Sequence, residues 1–403
     1  MSFVRLRPTA VAALALVAFA STLPAQTPEG PRNVTPLDFS GVIYGNYRYT
    51  YDDATKAANG NQALSKFDIE RVYLNFRMPA GDDGSIRITT DVFNNGTSCT
   101  GCYAGWTVRL KYAYFQYNFL HDIGGYKGFH AVARIGMLHT MQIDHEEGFF
   151  PRWISQVAIE RNGFMASSDV GIAGLLTFPN KWGEFYATMV NGSSYSQTEV
   201  DPYKDYAARL SLTPFGNETN IWKTLTISPF FSAGHTASKF LAGGTGQVGP
   251  VTDGNTRNRD GVFVGLKDRR LILGAEWAQR TETVELGANT AASPRTTYDN
   301  SGTVTSGFIL VRPIELFDDP KNHSSFGLIA RVDNFKPFSD QRSAGPTTGT
   351  QTTSSANQLI IAGAFWDINS RMTLSVDWQD LKPQSGSTTP ESKILFAHWQ
   401  VAF

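Results

Sequence analysis

Cysteine is nearly missing: only Cys99 and Cys102 occur in 403 residues. No disulfide framework can therefore hold the fold together. Tyr103 stands where a haem-attachment motif needs His, and no further ligands lie near enough to complete a zinc site. In an exported chain the expectation is a local disulfide, Cys99 to Cys102, closing a loop. A basic excess is also missing. The formal net charge is −1, which excludes the electrostatic footprint of a nucleic-acid partner. There is no Gly-x-Ser-x-Gly, no His-Glu-x-x-His and no glycine-rich phosphate cradle before a helix. No cofactor, no metal and no enzymatic step is expected.

Long apolar runs are absent too, with one exception. Residues 1–25, MSFVRLRPTAVAALALVAFASTLPA, begin with Arg5 and Arg7, continue apolar from Ala10 to Ala20 and end in small residues. That layout predicts a secretory signal peptide, followed by a periplasmic segment over 26–36. The apolar stretch is about eleven residues, short of the roughly 20 that span a bilayer as a helix.

What is present is aromatic residues and glycine: 27 Phe, 15 Tyr and 37 Gly. Together with few charges this composition favours β architecture. LDFSGVIYGNYRYTYDD alternates Leu37, Phe39, Ile43, Tyr47 and Tyr49 with Asp38, Ser40, Asn46, Arg48 and Thr50. Apolar on one side and polar on the other for about ten residues is what a tilted membrane strand needs. The same alternation recurs in SIRITTDVFNN, HAVARIGMLHTM, DYAARLSLTPF and RMTLSVDWQD. In KFDIERVYLNFRM the apolar side switches from Phe67 and Ile69 to Val72, Leu74 and Phe76, which predicts a bulge near Glu70–Arg71. The final stretch KILFAHWQVAF carries the stripe Leu395, Ala397, Trp399, Val401 and Phe403.

Connections near Asp82, Lys181, Lys267 and Asn369 are brief, with Pro313–His323 the least compact of this set. Those near 52–65, 95–105, 142–168, 191–204, 236–257, 282–302, 336–355 and 381–391 are long. Short and long alternate along the chain. The expected fold is all-β: a 16-stranded antiparallel transmembrane barrel over 37–403, with short periplasmic turns and long extracellular loops, in the bacterial outer membrane. Closure removes the sheet edges, so the last strand pairs with the first and its apolar stripe faces lipid.

The segments SIRITTDVFNN, RLKYAYFQYNF, AVARIGML, SSDVGIAGLLTF, YATMVNGSS and KDYAARLSLTPF occur in this order. With Asp91, Tyr112–Tyr114, Arg134-Ile135-Gly136, Asp169-Val170-Gly171, Asn191-Gly192, Asp205, Arg209 and Pro214, they resemble the phosphate-selective porin O/P family over about residues 37–216. The resemblance implies a homotrimer, a long third loop folded inward and passage of small hydrophilic solutes, phosphate or other small anions among them. In that family lysines and arginines line the path; here the basic residues are scattered over different strands, so no binding residue is carried over. The terminal aromatic, Phe403, is similar to the signal by which the outer-membrane assembly machinery recognises its clients.

The polar sides of the strands nominate pore-lining residues: Arg48, Arg71, Arg77, Arg87, Asp91, Arg109, Lys111, Arg134, Arg209, Arg280, Arg331 and Asp377, with Glu276, Asp333 and Asp169 as further acidic candidates. A basic wall concentrates small anions. The longest connection, 142–168, is too apolar for disorder. Folded inward, it would bring Asp144, His145, Glu146, Glu147, Arg152, Glu160 and Arg161 to the constriction. A metal cluster at Asp144–Glu147 is not expected, because adjacent residues point in different directions. The expected function is passive diffusion with a preference for anions. The alternatives are a barrel enzyme and a structural or adhesive barrel with an occluded lumen.

Overall fold

The computed structural model describes residues 37–95, 105–121, 128–317, 323–337, 356–384, 387 and 389–403. The signal peptide, the 26–36 segment and the Cys99–Cys102 disulfide lie outside the described residues.

Sixteen antiparallel strands close into one barrel. They are β1 Asp38–Thr50, β2 Leu64–Pro79, β3 Gly84–Asn94, β4 Trp106–His121, β5 His130–His139, β6 Ser168–Thr177, β7 Gly183–Val190, β8 Asp205–Leu212, β9 Thr226–Thr236, β10 Asn255–Lys267, β11 Leu271–Leu286, β12 Thr296–Val311, β13 Phe326–Lys336, β14 Asn357–Asn369, β15 Met372–Pro383 and β16 Ser392–Ala402. Every neighbour in the chain is a neighbour in the sheet, and β16 closes on β1 from Val42↔Ala402 to Thr50↔Ile394. Among the described residues, four short α-helices sit in the connections: α1 Asp53–Ala58, α2 Ile143–Glu147, α3 Ala158–Arg161 and α4 Pro313–Phe317.

Apolar side chains point outward at Phe39, Phe67, Val108, Ile135, Phe231 and Val376, all exposed. An exposed apolar belt around a closed sheet is stable only in hydrocarbon, where every backbone N–H and C=O still needs a partner. The barrel is thus a membrane-spanning one.

The expected bulge is present. Tyr44 pairs with Arg71 and the next residue, Gly45, pairs with Ile69, so Glu70 is left over. The extra residue lets Phe67 and Val72 both face lipid while Glu70 and Arg71 both turn inward, to Asn46 at 2.7 Å and to Asp91 at 2.8 Å. A second bulge, not expected, leaves Lys111 unpaired between Leu110↔Thr90 and Tyr112↔Thr89. The connection read as long over 282–302 is mostly strand: β11 and β12 are each 16 residues and stay paired from Leu271↔Val311 to Leu286↔Thr296. Alternation is weak there because these residues project beyond the hydrocarbon, where neither face needs to be apolar.

At the closing seam, aromatic rings lie over glycines. A Cβ at Gly45 would meet the Trp399 ring at 2.1 Å, and one at Gly41 would meet the Phe403 ring at 2.3 Å. The missing side chains let the rings of β16 fold flat across β1 and cover its backbone. Gly45→Val should force the Trp399 ring out and lower unfolding stability in detergent micelles by roughly 1–3 kcal/mol. In G45V/W399A the two losses should be less than additive, as chemical denaturation will show.

Candidate functional site

Between β5 and β6 the chain turns into the barrel. Thr140 closes the base of this loop, its backbone N–H donating to Ser167 O at 3.2 Å and its hydroxyl to Ala166 O at 2.6 Å. Residues between carry an apolar face: Ile143, Phe150, Ile154, Val157 and Ile159 are all at most 3% exposed. A segment this apolar cannot remain in a water-filled lumen. It packs on inward-facing Phe263, Phe308, Phe335, Leu359 and Ile361 of β10 and β12–β14, which are buried as well. Ring centroids meet at 5.1 Å for Phe150–Phe308 and 6.2 Å for Phe164–Phe335. Each such residue removed from water stabilises the docked loop by roughly 2 kcal/mol.

The loop's backbone carbonyls are met by donors from the wall. Arg331 donates to Gln156 O at 2.8 Å, Arg259 to Phe164 O at 2.6 Å, Lys267 to Gly148 O at 2.5 Å and Gln379 to Ile154 O at 3.1 Å. Arg209 donates to Met141 O. An irregular segment has no ladder of its own for these carbonyls, so cationic side chains complete it.

The nominated wall residues accordingly divide into two groups. Arg331 (2% exposed) and Asp377 (1% exposed) do not line open lumen. The loop covers Arg331, whose guanidinium lies over Phe150 and binds Asp333 twice, at 2.8 and 2.7 Å. Asp377 sits beside His398 and Ser375. The guanidinium of Arg280 is laid over Phe164 and Phe335. Asp169 is tied to the backbone N–H groups of Gly192 and Ser194. In the second group, on β2–β5, Arg71 and Arg109 share Asp91 at 2.8 and 2.9 Å. Arg87 reaches Asn75 and Thr89, Lys111 donates to Tyr73 Oη at 3.2 Å, and Arg134 donates to Gln116 at 2.9 Å. All five of these cations lie over ring faces: Arg71 and Arg109 over Phe93, Lys111 over Tyr73, Arg87 over Tyr112 and Arg134 over Tyr114. Cation–π contact holds them flat against the wall. Arg48 pairs with Asp68 at 3.2 Å toward the extracellular end of β1, while Arg77 is exposed near the periplasmic end of β2.

Of the loop residues expected at the constriction, Asp144 is the one that stands open, its side chain 55% exposed. His139 Nδ1 lies 3.0 Å from its Oδ1. Burial by the surrounding wall pushes the Asp144 carboxyl up, but His139, Arg87 and Lys111 outweigh it and hold the group well below the usual carboxylate range. Glu147 and Glu160 both bind Arg152. Glu146 is a correction: it is 2% exposed and faces the covered wall. Arg161 likewise turns to Asp333, at 3.7 Å. His145 touches Ser228 at 2.9 Å between the rings of Phe149 and Phe263. Burial, then the charge of Arg209, lowers its pKa to about 3, too low for a general base near neutral pH.

Two cavities flank the loop base, both touching Thr140. One of about 460 Å³ lies toward the extracellular end, lined by Asp169, Asp205, Arg257 and Arg259 among hydroxyls of Thr188 and Ser232. The other, about 370 Å³, lies toward the periplasm, lined by Arg134, Asp144, Glu184 and Arg209. Each sets two cations against two carboxylates. Arg257, Arg259, Glu184 and Lys267 were not among the nominated residues. Arg209, expected to line the pore, binds Glu184 and the loop. Alternation marks such residues as inward, but nothing local shows which inward cations the loop will cover.

No family model matches this chain. No curated protein matches it. Solved structures do. OmpF of Salmonella typhi, in complex with daunomycin, aligns with a TM-score of 0.56 at 12% identity over 91% of this chain and 97% of that one. An anion-selective porin from Comamonas acidovorans aligns with a TM-score of 0.57 at 10% identity, over 91% and 99%. The outer membrane channel DcaP of Acinetobacter baumannii gives 0.55 at 12% identity, over 91% and 97%. At such identities the likeness is one of fold, that of the bacterial outer-membrane porins, and with the apolar belt it places the barrel in that membrane.

Because folded His145 resists protonation, its contribution to stability is complete above the ordinary histidine value of 6.5 and declines as pH falls from there toward about 3. Unfolding free energy in micelles should drop over that window with a slope of up to about 1.4 kcal/mol per pH unit from this group. His145→Asn should remove that part of the slope.

Proposed function

We propose that the chain is a passive channel for small hydrophilic solutes that favours anions, phosphate or other small anions included, and works as a homotrimer. The observation carrying this reading is the strip Arg71, Arg87, Arg109 and Arg134 on β2–β5, with Lys111 buried behind it at 3% exposure. It faces the half of the lumen that the loop leaves open. The opposing charges are Glu70, Asp91, Asp144 and the Glu147–Arg152–Glu160 set with its net single negative charge, so five cations face four negative charges and positive charge is in slight surplus there. In a narrow, low-dielectric passage such a surplus raises the local anion concentration. The two cavities at the loop base are balanced in charge, so selectivity falls to the strip. No covalent step is involved and no nucleophile is required.

A second reading, a barrel with an occluded lumen, draws on the apolar half filled by the loop. Single-channel conductance of purified protein in a planar bilayer separates the two. Steady ion flow supports the channel, and its complete absence supports occlusion.

In asymmetric potassium chloride the reversal potential should report anion preference. Arg87→Gln together with Arg134→Gln should lower the anion-to-cation permeability ratio by at least about twofold. An unchanged ratio in that double variant would remove the strip from the account. Repeating the measurement with phosphate and organic acids ranks the solutes.

A further inference from the structure

The loop's first helix ends in a contact that ordinary pairing does not explain. Glu146 on α2 is 2% exposed and Glu276 on β11 is 6% exposed. The two carboxyls face each other across the junction between loop and wall. Neither oxygen of Glu276 meets a donor. Glu146 receives one bond, from the Gln142 side-chain amide at 2.6 Å, and the Gln142 oxygen itself goes unmatched. Two buried acceptors stand opposed with nothing donating between them.

Nearby cations do not resolve this. Arg331 on β13 is held by Asp333 through two bonds and by Gln156 O through a third. Asp333 adds a further negative charge on the same strand, bound also by Ser306 and approached by Arg161 of α3. Arg209 on β8 is taken up by Glu184 and Met141 O. Two ionised carboxylates in such a place would repel each other with little screening. One proton between them supplies the missing donor and removes half the charge.

We propose that Glu146 and Glu276 share a single proton that fastens α2 to the barrel wall, and that loss of this proton at alkaline pH loosens the loop and alters the passage beside it. Burial raises the Glu146 pKa above its ordinary value of 4.5, which agrees in direction. An acid raised in the docked state stabilises docking least at high pH. The attachment therefore weakens as pH climbs from that ordinary value through the raised one. As regulation of the pore this rests on the channel reading, so the deciding measurements need no conduction.

Infrared spectra of the full chain in micelles at neutral pH should show the carbonyl stretch of a buried protonated carboxyl, lost in Glu276→Gln. In Glu276→Gln an amide N–H replaces the proton, so the loop should stay docked at every pH. Hydrogen exchange over residues 142–150 compares the two proteins pH by pH, which cancels the intrinsic rate. At acidic pH they should match; as pH rises the wild type should exchange progressively faster, by at least about tenfold at the alkaline end of the series. Glu146→Gln should behave like Glu276→Gln and serves if that variant does not fold. Absence of the protonated carboxyl band, or a wild-type-to-variant exchange ratio constant with pH, overturns the proposal. A barrel that shows both signatures but conducts no ions leaves the latch standing and removes the channel instead.

Discussion

The structure depends on one constraint: an apolar, irregular segment enclosed inside a barrel must find both a dry surface and partners for its backbone. The loop between β5 and β6 meets both demands on one side of the lumen. Phe150, Ile154 and Ile159 cover the aromatic inner faces of β10 and β12–β14, and Arg331, Arg259, Lys267 and Gln379 meet its carbonyls. The lumen becomes two unequal environments. One half is a packed apolar core; the other holds the flat-lying cations of β2–β5 and their carboxylate partners.

That division explains how the same residue type serves two ends. Arg134 and Arg331 both point inward from the middle of a strand. Arg134 is bonded to Gln116, lies over the Tyr114 ring and lines the cavity on the periplasmic side of the loop base. Arg331 is 2% exposed and fixes the loop. The carboxylates divide in the same way. Asp144 remains ionised beside His139 and Arg87, while Glu146, two residues on, is enclosed against another carboxyl. About half a turn of helix, rather than any difference in residue chemistry, separates the two behaviours.

Much of the architecture is legible in the residue pattern, and the physical reason is lipid. Wherever one face of a strand meets hydrocarbon, its side chains must be apolar at every second position, and the switch at Glu70–Arg71 shows as clearly as the rule itself. The pattern blurs on β10–β14. There Phe263, Phe308, Phe335 and Ile361 make the inner face apolar as well, because the loop covers it. The extension of β11 and β12 past the membrane carries no such pattern, since neither face of those residues is bound to be apolar.

The amino-acid sequence by itself determined the strand alternation, the even rhythm of short and long connections, the inward face of each basic residue and the apolar character of the long loop. These follow from local rules: period two, turn chemistry and the need to shelter apolar side chains. Only the tertiary structure decided which wall the loop chose, and hence which inward charges stay in water. That choice depends on contacts between residues more than a hundred positions apart, such as Gln156 with Arg331 or Glu146 with Glu276. No local pattern carries such a pairing, because the energy of each contact exists only once the barrel has closed around it.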